Sequence, residues 1–312
     1  MNSFTLTHFP HTWFRKRITP LEDAHLPVTS KALQYGLGFF GGVRGYVGES
    51  SSAIHLFRLK DHVARFLQSA RILGVSVGYT PEELQDIFVQ LTRKNAPTVD
   101  TYYRPYAFAD STDISPHYLG NAEYTFALYM LPLGDYISTT EGNAVCVSSW
   151  HRVRDNAIPA RGKLSGAYTN SALAKQEAVA NGFTDAILLT EDGHVAEGTA
   201  MNLCMVRAGT LITPPVQDDV LEGITRDTVL TLARDCGIPT VERSIDRTEL
   251  YVADELFFCG TGAQVAWISH VDRRRIGAGV MGPATKHIRE MFFEVVRGKQ
   301  KKYAHWLTTV QI

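Results

Sequence analysis

The sequence predicts an α+β fold of two domains with mixed or antiparallel sheets. Three observations point there. The chain has 312 residues, about two domains at roughly 150 residues each. Hairpin signals are frequent: Glu191-Asp192-Gly193-His194 joins two apolar runs, and Gly260-Thr261-Gly262 separates two more. Helical and strand periods succeed one another without strict βαβ alternation, which argues against a doubly wound parallel sheet.

Leu59, Val63, Phe66, Leu67, Ala70 and Leu73 share one helical face and predict a helix over 59–73. Thr80-Pro81-Glu82-Glu83 is a capping box with proline at the first helical position, and the helix it opens buries Leu84, Ile87, Phe88 and Leu91. The period then changes. Residues 101–109 and 122–131 are rich in aromatic and β-favouring side chains and read as paired strands. Leu131-Pro132-Leu133-Gly134-Asp135 breaks the pattern and is the candidate linker. Beyond it, 143–149 reads as a strand and 165–180 as a helix stopped by Asn181-Gly182. Strands are expected over 185–190 and 195–206, then a helix over 225–236 ending at Gly237. Strands over 255–259 and 264–270 and a helix over 283–297, stopped by Gly298, complete the chain.

Composition narrows the function. Lys plus Arg number 31 against 32 for Asp plus Glu, so there is no global field for nucleic acid or an anionic membrane. Hydrophobic residues are 45% and charged residues 20%, which excludes intrinsic disorder. Cys146, Cys204, Cys236 and Cys259 form no CxxC pair and read as reduced core residues. The opening MNSFTLTHFPHTWFRKR has neither a long apolar core nor a small-residue cleavage site, and no signal peptide is expected. No uninterrupted apolar run approaches the ~20 residues of a membrane helix. A cytoplasmic enzyme is the expectation.

Several motifs carry no chemistry. Gly36-Leu37-Gly38-Phe39-Phe40-Gly41 fits GxGxxG, but Gly42 to Val47 read as a strand where a helix is needed, so it is a tight turn and not a dinucleotide site. The 11 histidines include no HxH or HExxH, and no metal site is expected. Arg273-Arg274-Arg275 reads as a solvated turn.

Others stand out. Lys163 lies between glycines just before a helix, with Tyr168 five positions on; glycine there lets backbone approach a ligand closely. Simple alternation puts Glu197 on the face of Val195, Met201 and Leu203, where a carboxylate must be paired or hydrogen-bonded. A bulge at Gly198 would instead turn it to solvent, and spacing does not choose between the two. Glu222-Gly223-Ile224-Thr225-Arg226-Asp227 opens a helix, whose free N–H groups suit phosphate. Gly260-Thr261-Gly262 is a second anion-friendly turn. Arg65 and Arg104 could supply charge.

In this order the residues resemble the class IV (fold type IV) pyridoxal-phosphate aminotransferases, in particular the branched-chain amino-acid aminotransferases. The resemblance is carried by Tyr35-Gly36, Phe40-Gly41-Gly42-Val43-Arg44, Phe57-Arg58-Leu59-Lys60-Asp61-His62 with Arg65, and Tyr102-Tyr103-Arg104-Pro105. It continues through Ile158-Pro159 with Lys163 and Tyr168, Glu197-Gly198 with Asn202, Gly223 to Asp227, and Gly260-Thr261-Gly262-Ala263. It implies a small α/β domain over 1–133, a linker over 134–141, and a large cofactor-binding domain over 142–312, with pyridoxal 5'-phosphate in the interdomain cleft.

The same resemblance implies roles. Lys163 would carry the cofactor covalently and move the proton at the reacting carbon. Glu197 would meet the pyridinium nitrogen, and Tyr168 the ring phenolate oxygen. Arg65, the backbone at Ile224 and Thr225, and Thr261 would hold the phosphate. Thr261 and Gly262, with Tyr102, would take the substrate carboxylate. Arg44, Arg104 and Tyr136 would form the polar end for the distal carboxylate of glutamate. Tyr35, from a neighbouring subunit, and Phe40 would line the apolar wall. Amino transfer between L-branched-chain amino acids and 2-oxoglutarate, in a homodimer or higher oligomer with shared active sites, is the implied activity. Three positions depart from the pattern: Gly41 and Met201 replace glutamates, and Leu133 replaces a tryptophan. They raise alternatives: a class IV transaminase of broadened specificity for (R)-primary amines or aromatic or D-amino acids, or a lyase of the aminodeoxychorismate type.

Overall fold

The computed structural model describes residues 7–48, 52–117 and 124–312. In chain order its strands are β1 (His11–Phe14), β2 (Arg17–Pro20), β3 (Gly38–Phe40), β4 (Val43–Val47), β5 (Ala53–Phe57), β6 (Thr101–Phe108), β7 (Thr125–Pro132), β8 (Asn143–His151) and β9 (Asp185–Leu189). They continue with β10 (Val195–Gly198), β11 (Asn202–Arg207), β12 (Thr210–Thr213), β13 (Thr240–Glu242), β14 (Glu255–Gly260), β15 (Gln264–Val271), β16 (Arg274–Arg275) and β17 (Leu307–Gln311). The helices are α1 (Lys31–Tyr35), α2 (Leu59–Leu73), α3 (Pro81–Asn95), α4 (Tyr168–Ala180), α5 (Ile224–Asp235) and α6 (Pro283–Val296). Two compact units result. One comprises Met1–Gly134, Gly162–Gly166 and Val295–Ile312; the other comprises Asp135–Arg161 and Ala167–Glu294.

The first unit is built on an antiparallel sheet of order β17-β5-β4-β6-β7-β1-β2, with β3 beside β6. Strand β6 alternates cleanly: Thr101, Tyr103, Pro105 and Ala107 are buried, and Tyr102, Arg104 and Tyr106 lie on the opposite face. Helix α3 packs on the Tyr103 side, where Phe88 tilts against the Tyr103 ring at 5.8 Å and Thr92 donates to its hydroxyl at 3.0 Å. Burial pushes the Tyr103 phenol far above its ordinary range. The capping box of α3 forms as read: Glu83 N–H donates to Thr80 Oγ1, and Thr80 N–H donates to the Glu83 carboxylate at 2.7 Å. Leu84, Ile87, Phe88 and Leu91 are all buried, each worth about 1.5–3 kcal/mol of burial. Helix α2 has the expected bounds and ends on Gly74 in the left-handed region. Leu67 and Leu73 on its apolar face are only half-buried. The expected strand over 122–131 is β7; residues 122 and 123, like 1–6 of the N-terminal segment, lie outside the described residues.

The second unit carries a mixed sheet of order β10-β9-β8-β15-β14-β11-β12-β13, with β16 on β15. The β8–β9, β8–β15 and β12–β13 pairs are parallel and the others antiparallel. Its core gathers Val145, Ile187, Leu203, Met205, Leu256, Phe258 and Ile268.

Two sequence expectations are corrected here. The helix over 165–180 is a single 3-10 turn at Ser165–Ala167 followed by α4. The strand over 195–206 is two strands. Gly198 N–H donates to Met201 O at 2.7 Å and closes a turn between β10 and β11. The cause is Asp185, fully buried, which draws Thr199 out of the ladder through Thr199 Oγ1 at 2.8 Å and also takes Lys175 Nζ at 2.6 Å.

Arg274 and Arg275 sit in an exposed hairpin with β15, after Asp272 and Arg273 at positive φ. None of the four cysteines is in a disulfide, and Cys146, Cys204 and Cys259 are buried. Among the described residues no group of three His, Cys, Asp or Glu side chains could hold a metal ion, and no helix is long and apolar enough to cross a membrane.

Candidate active site

In the first unit the residues gather around Lys163. Its peptide is held on both sides: Lys163 N–H donates to Ser69 Oγ at 3.2 Å, and its carbonyl accepts from Phe40 N–H at 3.0 Å. Leu164 then makes a one-residue antiparallel bridge with Phe39. The Lys163 side chain is half-buried, and its Nζ lies 5.3 Å from the Phe40 ring centre. On the same ring, at 4.5 Å, sits the guanidinium of Arg104, which also lies 5.2 Å from the Tyr102 ring. The sheet explains the grouping, since β3 sets Phe40 opposite Tyr106 and β4 sets Arg44 opposite Tyr102. Tyr102 Oη fills the space over Gly42, where an added Cβ would lie 1.9 Å from it; only glycine admits it.

The two arginines differ in use. Arg44 is buried, and its Nη2 donates to Leu133 O and Gly134 O, each at 2.7 Å. Arg104 is half-buried, and its Nε has no hydrogen-bond partner among the described residues. Arg65 is half-buried on α2, and Tyr35 is half-buried at the end of α1, before the left-handed Gly36.

Helix α2 presents a polar stripe in the same unit: Arg58, His62, Arg65 and Ser69, at helical spacing. His62 is buried, with Nδ1 unpartnered among the described residues. Burial, and then the positive charges of Arg65, Arg58 and Lys163, push its imidazole well below the usual histidine range.

In the second unit the residues gather around Glu197. It is 6% exposed on β10, next to a register irregularity between Val195 and Gly198. The irregularity does not turn it to solvent; three donors meet it inside. Arg152 Nη2 lies 3.0 Å from Oε1, while Asn202 Nδ2 at 2.9 Å and Leu221 N–H at 3.2 Å reach Oε2. A carboxylate buried this deeply needs such partners. Asn202 Nδ2 also donates to Leu221 O at 2.9 Å, and Gly223 is packed so closely on Asn202 that a Cβ would lie 1.9 Å from its Oδ1.

Gly223 is the N-cap of α5, whose buried first residues are Ile224 and Thr225. Backbone N–H groups at a helix start suit an anion. The Gly260–Gln264 turn carries Thr261 and Gly262, both half-buried, and the Tyr136 ring lies about 3.6 Å from the position a Gly262 Cβ would take. Tyr168 is half-buried at the first position of α4.

Pyridoxal 5'-phosphate fits the chemistry of this donor set: a lysine amine, an anion for a cationic ring nitrogen, and a helix N-terminus with hydroxyls for a phosphate. Sequence reading missed Arg152, Ser69 and His62 as members. Arg152 comes just after a strand with no distinguishing spacing; Ser69 and His62 could have been found on the helical face that carries Arg65.

Comparison with known proteins places the chain. The family described as "Amino-transferase class IV" matches residues 40–271. A "Probable branched-chain-amino-acid aminotransferase" of Aquifex aeolicus (strain VF5) is 40% identical over 301 residues, 96% of each chain. The structure of a branched-chain aminotransferase from the thermophilic archaeon Thermoproteus uzoniensis with norvaline is 41% identical, with TM-score 0.92, covering 97% of this chain and 99% of that one. The branched-chain amino acid aminotransferase from Thermobaculum terrenum in its PLP-form is 36% identical, with TM-score 0.92, covering 98% and 99%. Both sheets, the Lys163 and Glu197 clusters and these matches thus agree: the chain belongs to the class IV aminotransferases, enzymes of fold type IV that use pyridoxal 5'-phosphate.

Proposed function

We propose that this enzyme is a branched-chain-amino-acid aminotransferase, moving the amino group between leucine, isoleucine or valine and 2-oxoglutarate. One observation carries the reading: Phe40 offers its ring to both the Lys163 amine and the Arg104 guanidinium. An apolar surface beside the reactive amine suits a branched side chain. A guanidinium with an unused Nε on the same ring suits the distal carboxylate of the acceptor. Arginine stacked on aromatic faces can wait there without a carboxylate at less cost than one left bare. The names of the curated relatives support the branched-chain amino acids as substrates.

Pyridoxal 5'-phosphate, when bound, would supply a reactive carbonyl and an electron-accepting ring. The chain does the rest. Lys163 would hold the cofactor covalently and would carry the proton at the reacting carbon. Glu197 would keep the ring nitrogen cationic, and Tyr168 would hydrogen-bond the ring oxygen. Arg65, the N–H groups of Ile224 and Thr225, and Thr261 would hold the phosphate. Thr261, Gly262 and Tyr102 take the substrate carboxylate. Arg44 and Tyr136 complete the polar end, and Tyr35 of a partner subunit and Phe40 form the apolar wall. The linker falls over 134–141, the assembly is a homodimer or larger, and the enzyme works in the cytoplasm.

A donor panel tests this. Leucine with 2-oxoglutarate is the fastest pair, ahead of phenylalanine, D-alanine and (R)-1-phenylethylamine, and Lys163→Ala abolishes turnover. Faster turnover of the (R)-amine overturns the substrate assignment. Pyruvate release without consumption of an oxo acid, from an aminodeoxychorismate-type substrate, overturns it in favour of a lyase.

A further inference from the structure

The Glu197 carboxylate is not alone in its pocket. Arg152 meets it as a cation, with Nη2 at 3.0 Å from Oε1, and side-chain exposures of 11% and 7% put the pair inside the second unit. The same guanidinium donates through Nε to Asp219 O at 3.1 Å, and the Arg152 N–H donates to Leu189 O at 2.7 Å. Side chain and backbone are therefore both fixed. Asp219 itself sits at φ +56 and accepts from Asp155 N–H at 2.9 Å. A non-glycine residue in that conformation is held there by its surroundings. Asp219 and Leu221, both tied into this cluster, belong to the segment that leads to the N-cap of α5.

From this geometry we propose that Arg152 is a positioning residue for the electron sink: it holds Glu197 as a weakly basic anion, so that the proton shared with the cofactor ring nitrogen stays on the ring. The inference rests on Glu197 being the partner of that nitrogen. The physical reason is a competition for one proton. A buried carboxylate without a counter-charge is a stronger base than one in an ion pair, because desolvation penalises the anion and a cation within hydrogen-bond reach relieves it. Asn202 and Leu221 N–H stabilise Oε2 but bring no net charge; Arg152 supplies the charge at Oε1. Remove it, and Glu197 takes the proton, leaving a neutral ring that draws electrons poorly. Arg152 also ties Glu197 to the Asp219 carbonyl. One side chain therefore serves both the acid at the ring and the segment entering the phosphate-binding turn.

The test uses holoenzyme reconstituted with cofactor labelled with 15N in the ring, for wild type, Arg152→Gln, Arg152→Lys and Glu197→Gln. Wild type should show a protonated ring-nitrogen resonance. Glu197→Gln should move it to the unprotonated position, Arg152→Gln should move it in the same direction, and Arg152→Lys, which keeps the charge, should leave it at the wild-type position. In parallel, kcat with leucine should fall on the order of tenfold in Arg152→Gln, with KM within about twofold, as for an interaction that acts on the chemical step. A purely structural Arg152 would lower cofactor occupancy or thermal stability without moving the resonance. If Arg152→Gln keeps the wild-type resonance while Glu197→Gln shifts, the role of Arg152 is refuted and that of Glu197 stands. If Glu197→Gln itself keeps it, the assignment of the ring partner fails. Should Arg152→Gln not fold, Arg152→Lys decides: an unprotonated resonance in that protein refutes the charge argument.

Discussion

Ser69 Oγ accepts the Lys163 N–H at 3.2 Å and donates to Arg65 O at 3.3 Å, so one buried hydroxyl on α2 fixes the backbone of Lys163. Ser69→Ala leaves that N–H without an acceptor, at a cost of about 1–3 kcal/mol if it stays buried. The expected result is a lower urea midpoint and a slower kcat with KM little changed. Equilibrium unfolding and steady-state rates on the same preparations check it.

Gly42 and Tyr102 make a second close pair. A Cβ at position 42 would lie 1.9 Å from Tyr102 Oη and 2.6 Å from its Cζ, so Gly42→Ala displaces the ring. Overpacking of this kind costs about 1–3 kcal/mol. On the proposed role of Tyr102 at the substrate carboxylate, KM should rise for leucine and glutamate alike. Adding Tyr102→Phe, which removes the clashing oxygen, should give a double mutant less destabilised than the sum of the two singles.

Arg44 and Arg104 should separate cleanly. On the proposed role of Arg104 at the distal carboxylate, Arg104→Leu should lower kcat/KM for glutamate about 10- to 100-fold while leucine changes less than about threefold. Arg44→Leu unpairs the Leu133 and Gly134 carbonyls and so should depress both substrates and stability together. Parallel kinetics with the two donors distinguish these outcomes.

His62 sets a pH dependence. Its folded imidazole titrates well below the ordinary 6.5 because of burial and then the neighbouring cations. The unfolded chain binds a proton there below about pH 6.5 and the folded chain does not, so stability falls as pH drops through that value. His62→Gln should flatten this part of the urea midpoint against pH between about 7 and 5, relative to wild type. An unchanged slope would mean that the proton uptake lies elsewhere.

Local signals were legible where they were short in range. Helix α3 could be read from Thr80, Pro81 and Glu83, because a capping box is complete within four residues. Glu197 stood out because a carboxylate among Val195, Met201 and Leu203 needs an explanation, and the structure supplies Arg152 and Asn202. What failed was long-range. Nothing in 195–206 announces that Asp185 will draw Thr199 away and split the strand. Arg152 looks ordinary until the fold brings it to Glu197. The alternation of β6 was visible as β-favouring sequence, but which side would carry Arg104 depended on α3 covering the Tyr103 side.

The pentapeptide Gly162–Gly166 belongs with the first unit, although its sequence neighbours on either side belong to the second. Lys163 is thus housed in the first unit although the chain on both sides of it is not. Dissection at residue 134 would strand Lys163 on a fragment that lacks Ser69 and Phe40, its two backbone anchors. Neither half can be transplanted as a self-sufficient module, and recombination between homologues must exchange 162–166 together with α2 and β3 or lose the register of the lysine.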